Sequence, residues 1–200
     1  MYGAPGGQTY TQGNYTVEPD ASRPGIFGTL PPCRPCVKVG ASPASPGRDV
    51  RFAEVLASMG CEVSHEADGI LVKGGKLSAI EVDMADMPDI VPTLAVVAAF
   101  ADGTTRIKNV AHLKAKESDR LSAVITELTK MGISATSEKD DLIVTGGRPH
   151  GAVIETYNDH RMAMCFAVAG LVVPGIEIVN EQCVEKSFPA FWDVFDGLYT

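Results

Sequence analysis

No apolar run in this sequence is longer than Met162 to Val173, which is too short for the ~20 residues a membrane-crossing helix needs. Positive charge is scarce as well. Lys and Arg number 17 against 25 Asp and Glu, for a net charge of −8. That balance argues against nucleic-acid partners and against an anionic-membrane surface. Any anionic ligand must therefore be met by a local gathering of cations. The opening residues, MYGAPGGQTY, have neither the basic nor the apolar stretch of a secretory leader. Cysteines number 5, an odd count in a chain without a leader, so reduced thiols and a cytoplasmic location are expected. The one CxxC, Cys33-Arg34-Pro35-Cys36, has no second pair with which to hold zinc. Gly74-Gly75 and Gly146-Gly147 lack the Lys-Ser/Thr of a phosphate-binding loop and read as turns. His65 and His150 read as surface residues.

Two hundred residues suit one domain or one and a half small ones, and 45% hydrophobic residues can build a core. The chain also repeats itself. VLASMGCEVSHEADGILVKGG, 55–75, matches ELTKMGISATSEKDDLIVTGG, 127–147, at a constant offset of 72. Each copy reads as a helix ended by Gly60 or Gly132, two strands about a polar turn, and a Gly-Gly pair. A third strand follows in AIEVDMADMPD, 79–89, and in VIETYNDH, 153–160. Next come the apolar helices VPTLAVVAAFA, 91–101, and RMAMCFAVAGLVV, 161–173, then the strands TTRIKNV and GIEIVN. Each of these strands leads to a lysine, Lys116 or Lys186. The fold class is therefore α/β (α+β), built from repeated units of roughly 70 residues. One helix type carries a single apolar stripe: Leu121, Val124, Ile125, Leu128 and Met131. Ser118 is its expected cap. The other type is apolar all round, which predicts burial on every side. PAFWDVFDGL, 189–198, begins a third unit.

The first unit departs from this plan. After YTVEPDAS the repeat requires a buried helix, but the chain reads SRPGIFGTLPPCRPCVKVGASPASPG. Pro24, Pro31, Pro32 and Pro35 are incompatible with one, at roughly 3 kcal/mol each. The pattern returns at Asp49. The expected division is 1–22, the end of a preceding lobe and the start of the first repeat; 23–48, an anomalous Pro-rich segment; and 49–200, an incomplete lobe. A shifted reading frame would explain 23–48.

Chemistry should gather where strands run into helix N-termini. Three clusters lie there. Asp89 in Met87-Pro88-Asp89 reads either as a plain N-cap or as a functional carboxylate. KAKESDR, 114–120, reads either as a solvated helix start with Glu117 favouring the dipole or as part of a site. In NDHR, 158–161, function is favoured, because Arg161 opens an all-apolar helix where an unpaired charge is costly. Lys116, Arg120, Arg161 and Lys186 stand at equivalent junctions. If the repeats pack about an axis, these cations converge into one pocket, with Asp89 and Glu117 among them. Such a pocket suits phosphate and carboxylate groups, and its paired carboxylates suit acid–base work.

At KESDR, NDHRMAM and the Lys of CVEKSFP the chain resembles the C-terminal half of the 5-enolpyruvylshikimate-3-phosphate synthase family, the 3-phosphoshikimate 1-carboxyvinyltransferases. The similarity runs almost continuously from Asp49 to Phe195, and GGQTY and YTVEPDAS match as well. The resemblance implies transfer of the enolpyruvyl group of phosphoenolpyruvate to the 5-hydroxyl of shikimate 3-phosphate, with release of phosphate. That reaction belongs to aromatic amino-acid biosynthesis. The resemblance implies no metal and no organic cofactor. It also implies a lobe with a pseudo-threefold axis, helices inside and sheets outside. Asp89 would be the base toward the hydroxyl and would also hold shikimate phosphate, and Glu117 would be the acid–base group at the phosphoenolpyruvate methylene. Lys116 would contact shikimate phosphate. Arg120, Arg161 and Lys186 would clamp phosphoenolpyruvate, with Asp159 and His160 beside them. His112 stands where the family commonly has a substrate-binding Asn. The family's N-terminal lobe completes the site, so the expectation is a partial enzyme, inactive alone. Two alternatives are a non-catalytic remnant of the same fold and a UDP-N-acetylglucosamine enolpyruvyl transferase.

Overall fold

The computed structural model describes residues 2–3, 36–39, 50–66, 69–116 and 118–197. Segments 1–22 and 23–48 thus lie outside the described residues, apart from the strands β1 (Tyr2–Gly3) and β2 (Cys36–Val39). From residue 50 the chain follows the repeat. The first unit is α1 (Val50–Ser58), β3 (Glu62–Glu66), β4 (Gly69–Lys73), β5 (Glu81–Asp83), α2 (Val91–Ala98) and β6 (Thr104–Lys108). The second is α3 (Arg120–Lys130), β7 (Ser134–Glu138), β8 (Asp141–Thr145), β9 (Val153–Glu155), α4 (His160–Gly170) and β10 (Glu177–Val179). A short α5 (Phe191–Asp196) follows.

Local chemistry sets the boundaries. Gly60 and Gly132 stop α1 and α3 in the left-handed region, at φ 108° and 80°. The expected cap of α3, Ser118, is replaced by Asp119, whose carboxylate accepts from the Ser122 N–H at 3.1 Å. Ser118 sits one residue too early and turns its hydroxyl toward Asp159 instead.

The two apolar helices form the interior. Every residue of α2 is buried, as is every residue of α4 from Met162 to Gly170. They pack on one another, and α3 packs on both. Full burial of a Leu or Met side chain stabilises by roughly 1.5–3 kcal/mol, whereas exposed ion pairs such as Lys73–Glu62 contribute roughly 0–1. The helices therefore hold the lobe together. Among the described residues no helix is long and apolar enough to cross a membrane.

Three sheets cover the helices. β5 and β6 run parallel, as do β9 and β10, and each pair is bridged by its apolar helix. The four-stranded sheet has the order β5-β6-β8-β7, so the hairpin of the second repeat pairs with the parallel strands of the first. The other sheets are β2-β4-β3 and β1-β10-β9. In them β2 takes the place that β6 holds beside β8, and β1 takes the place that β8 holds beside β6.

The Gly-Gly pair after β8 is a close approach, and its two members differ. A Cβ on Gly146 would run into the carbonyl oxygen of Ala101 and lie 2.9 Å from that of Ala98. A Cβ on Gly147 would meet only the Ile133 Cδ1 at 3.5 Å. Gly146→Ala should destabilise by about 1–3 kcal/mol, while Gly147→Ala should leave the urea midpoint nearly unchanged. Equal midpoints for the two variants would contradict this packing.

Candidate functional site

The site forms where α2, α3 and α4 begin. Pro88 opens a short 3-10 turn, Pro88–Ile90, leading into α2, at a position where a missing N–H costs nothing. Asp89 lies in that turn and caps neither it nor α2. Its carboxylate faces cations instead. Arg120 Nη1 donates to Asp89 Oδ1 at 2.9 Å. Arg161 Nη2 lies 3.4 Å from Asp89 Oδ2, and Lys116 Nζ lies 3.5 Å from Oδ1. Arg161 Nη1 also donates to the Asp89 carbonyl at 3.3 Å.

Asp159 stands at the equivalent strand–helix junction of the second repeat but does different work. It caps α4, accepting from the Arg161 N–H at 2.9 Å. Its side chain is 0% exposed and pairs with the 1% exposed Arg120. Arg120 Nε donates to Asp159 Oδ2 at 2.6 Å and Nη2 to Oδ1 at 3.3 Å, while the Ser118 hydroxyl adds a bond to Oδ2 at 3.2 Å. Burial alone would lift the Asp159 carboxyl above its ordinary value. The Arg120 bond and charge outweigh burial and hold it below.

At Asp89 the side chain is 44% exposed. Burial again works upward there, and Arg161, Lys116 and Arg120 together pull the carboxyl down. The group is thus a solvent-reaching carboxylate ringed by three cations, braced from behind by a buried Arg–Asp pair. Anions entering from solvent meet Lys116 and Arg161 first.

His160 is pushed down chiefly by burial and then by Arg161, so the ring is neutral at physiological pH. Its Nδ1 is buried without a hydrogen-bond partner among the described residues, 3.9 Å from Asp159 Oδ1. Lys186 lies at the other side of this junction. Its Nζ donates to the Asn158 carbonyl at 3.0 Å, and its charge reaches His160. His112 sits in the 3-10 turn Ala111–Ala115 before Lys116, and its buried Nε2 has no partner among the described residues. Glu117 lies outside the described residues. The structure therefore gathers Asp89, Lys116, Arg120, Asp159, His160 and Arg161 around one group of contacts, with Lys186 adjoining through Asn158.

Two residues of this region escaped sequence reasoning. Glu127 is fully buried on α3. Its carboxylate accepts from the Tyr157 hydroxyl at 2.7 Å and from the Glu155 N–H at 3.2 Å, and it pairs with Lys130 at 2.9 Å. Burial, followed by the Glu127 hydrogen bond, pushes the Tyr157 phenol up to about 12, so it stays a donor at neutral pH. A signal existed. Arg120, Val124, Glu127 and Met131 fall at i, i+4, i+7 and i+11, which places both charges on the buried face of α3.

The repeats, the buried helix pair and the bridging sheets define an enolpyruvyl-transferase lobe. The enolpyruvyl transferase NikO from Streptomyces tendae shares this fold, with a TM-score of 0.71 at 22% identity over 92% of this chain and 44% of that one. An EPSP synthase from Acinetobacter baumannii superposes with a TM-score of 0.79 at 29% identity, over 90% of this chain and 45% of its own. A model of the EPSP synthase (3-phosphoshikimate 1-carboxyvinyltransferase) family matches residues 3–195, and the chain belongs to that family. A 3-phosphoshikimate 1-carboxyvinyltransferase of Syntrophobacter fumaroxidans is 44% identical over 97% of this chain and 47% of its own length. One from Methanoculleus marisnigri is 42% identical over 96% of this chain and 46% of its own. The chain spans about half the length of the curated relatives it matches.

Proposed function

We propose that this chain contributes part of the active site that moves the enolpyruvyl group of phosphoenolpyruvate to the 5-hydroxyl of shikimate 3-phosphate. The observation that carries this reading is the cationic ring about Asp89, met in a chain of this family. Asp89 takes the hydroxyl proton. The hydroxyl oxygen bonds to C2 of phosphoenolpyruvate as Glu117 gives a proton to the methylene. Loss of that proton and of phosphate from the tetrahedral intermediate then yields the product. Arg161, Arg120 and Lys186 hold phosphoenolpyruvate, with Asp159 and His160 fixing their geometry. Lys116 and His112 face shikimate 3-phosphate. Preorganised cations of this kind stabilise the intermediate's charge without reorganising. Residues 49–200 serve as the lobe that carries these groups. The facing groups come from the half of the family that this chain does not span.

Calorimetry with each substrate tests this. The chain should bind phosphoenolpyruvate and release no phosphate from the two substrates together. Release should begin when the other half of the Syntrophobacter relative is supplied. Absence of phosphoenolpyruvate binding would remove the reading, and turnover by the chain alone would remove its partial character.

A further inference from the structure

The segment Thr156-Tyr157-Asn158-Asp159 turns the end of β9 into the start of α4. Tyr157 and Asn158 both stand in the left-handed region there, at φ 53° and 55°. Asn tolerates that conformation, but a bulky Tyr disfavours it and needs an outside restraint. Glycine, the usual solution, is absent from this turn. The conformation nonetheless has consequences. It directs the Asn158 carbonyl at Lys186 Nζ, 3.0 Å away. It also sets Asp159 where it accepts from the Arg161 N–H at 2.9 Å and meets Arg120 Nε at 2.6 Å.

The restraint is supplied by α3. Its first residue, Arg120, grips Asp159. Two turns further on, or about 10 Å along the helix, Glu127 grips the other end of the same segment. One carboxylate oxygen takes the Tyr157 hydroxyl at 2.7 Å and the other takes the Glu155 N–H at 3.2 Å. Lys130, bonded to the Val153 carbonyl at 3.4 Å, sits against the same carboxylate. A fully buried carboxylate holding a half-exposed phenol is a poor choice for packing alone. It is a good choice for fixing a turn.

We infer that Tyr157 and Glu127 are positioning residues: their hydrogen bond holds the left-handed turn that aims Arg161 and Lys186 at the substrate anion. The inference rests on the proposed phosphoenolpyruvate site.

The test compares Tyr157→Phe and Tyr157→Gly in the 200-residue chain. Phe keeps the ring and the strain but loses the bond. Gly loses both ring and bond, yet adopts the left-handed turn unaided. Hydrogen exchange at the Arg161 amide and the phosphoenolpyruvate dissociation constant are measured for each. Tyr157→Phe should speed the exchange and weaken binding, each by about tenfold, as expected for one lost bond to a charged acceptor. Tyr157→Gly should lie within about threefold of the parent in both, because glycine tolerates positive φ. Glu127→Gln should follow Tyr157→Phe. A role in packing alone predicts the reverse order, with Gly worse than Phe, and that order would overturn the inference. So would an unchanged Phe variant. Fast exchange in Phe with recovery in Gly supports the inference even if the parent chain takes up no phosphoenolpyruvate. That outcome would remove the proposed function alone.

Discussion

Arg120→Met should destabilise the fold by about 3–5 kcal/mol, the largest stability loss expected of any single change in the site. Methionine approximates the volume of the arginine stem, so the loss is not one of packing. What remains is the Asp159 carboxylate, 0% exposed and stripped of its charged partner. Ser118 and the Arg161 N–H still reach it, but neither carries a compensating side-chain charge. Asp89 stays served by Lys116 and Arg161. The damage is therefore centred on Asp159. Its pH dependence is the diagnostic. In the parent, the Asp159 carboxyl sits below the ordinary carboxylate value, so its stabilising contribution is present above that ordinary value. The contribution is lost as pH falls through the lower, folded value. In the variant the carboxyl is buried and unpaired, its folded value rises, and protonation relieves the burden. The gap between parent and variant should narrow on acidification. A gap that widens in acid, measured by urea unfolding, would refute this account of the pair.

Asp89→Asn should act in two directions. On the proposed role of Asp89 as base, its loss from an assembled site lowers turnover by about 10²–10⁴-fold. In the same variant, anions should bind more tightly. Asp89 competes with any incoming phosphate or carboxylate for Lys116 and Arg161, which now hold it at 3.5 and 3.4 Å. An asparagine competes less. Calorimetric titration with phosphoenolpyruvate should give a smaller dissociation constant for the variant, alongside a collapsed rate. Weaker binding in Asp89→Asn would mean that the carboxylate organises the cations rather than occupying them. The same competition implies that an anion, once bound, relieves the pull of the cations on Asp89 and makes it a stronger base. On the proposed role, the three cations hold the carboxylate ionised, and it gains basicity when an anion takes their place.

Much of this arrangement is legible in the sequence alone. Helical and strand periods located nearly every element, because each repeat stated the pattern twice. The gathering of Lys116, Arg120 and Arg161 followed from their equivalent places in that pattern. Other features were hidden for physical reasons. Asp89 and Asp159 look alike in sequence, but only a contact across 39 residues reveals that Asp159 is the buried partner of Arg120. Ser118 resembles a cap as well as Asp119 does, and the choice depends on where the first helical residue falls. Glu127 reads as a solvated residue on α3 until the helix phase is combined with burial. The pairing of one repeat's hairpin with the other's parallel strands leaves no mark in either repeat alone. The Pro-rich stretch was legible as an exception to the pattern. Of it, only β2 falls among the described residues.

The shared four-stranded sheet has a consequence for how such a lobe can be divided. The boundary that the repeat draws in the sequence, between β6 and α3, is no boundary in the fold. Cutting there would separate β6 from β8 and leave an open ladder on each piece. Neither fragment would close on itself. Each would seek a second strand pair, and the nearest supply is another copy of the same fragment, as in domain swapping. The lobe is interlaced rather than stacked: a single unit is not a small protein, and the smallest piece with a finished sheet spans the join between two of them.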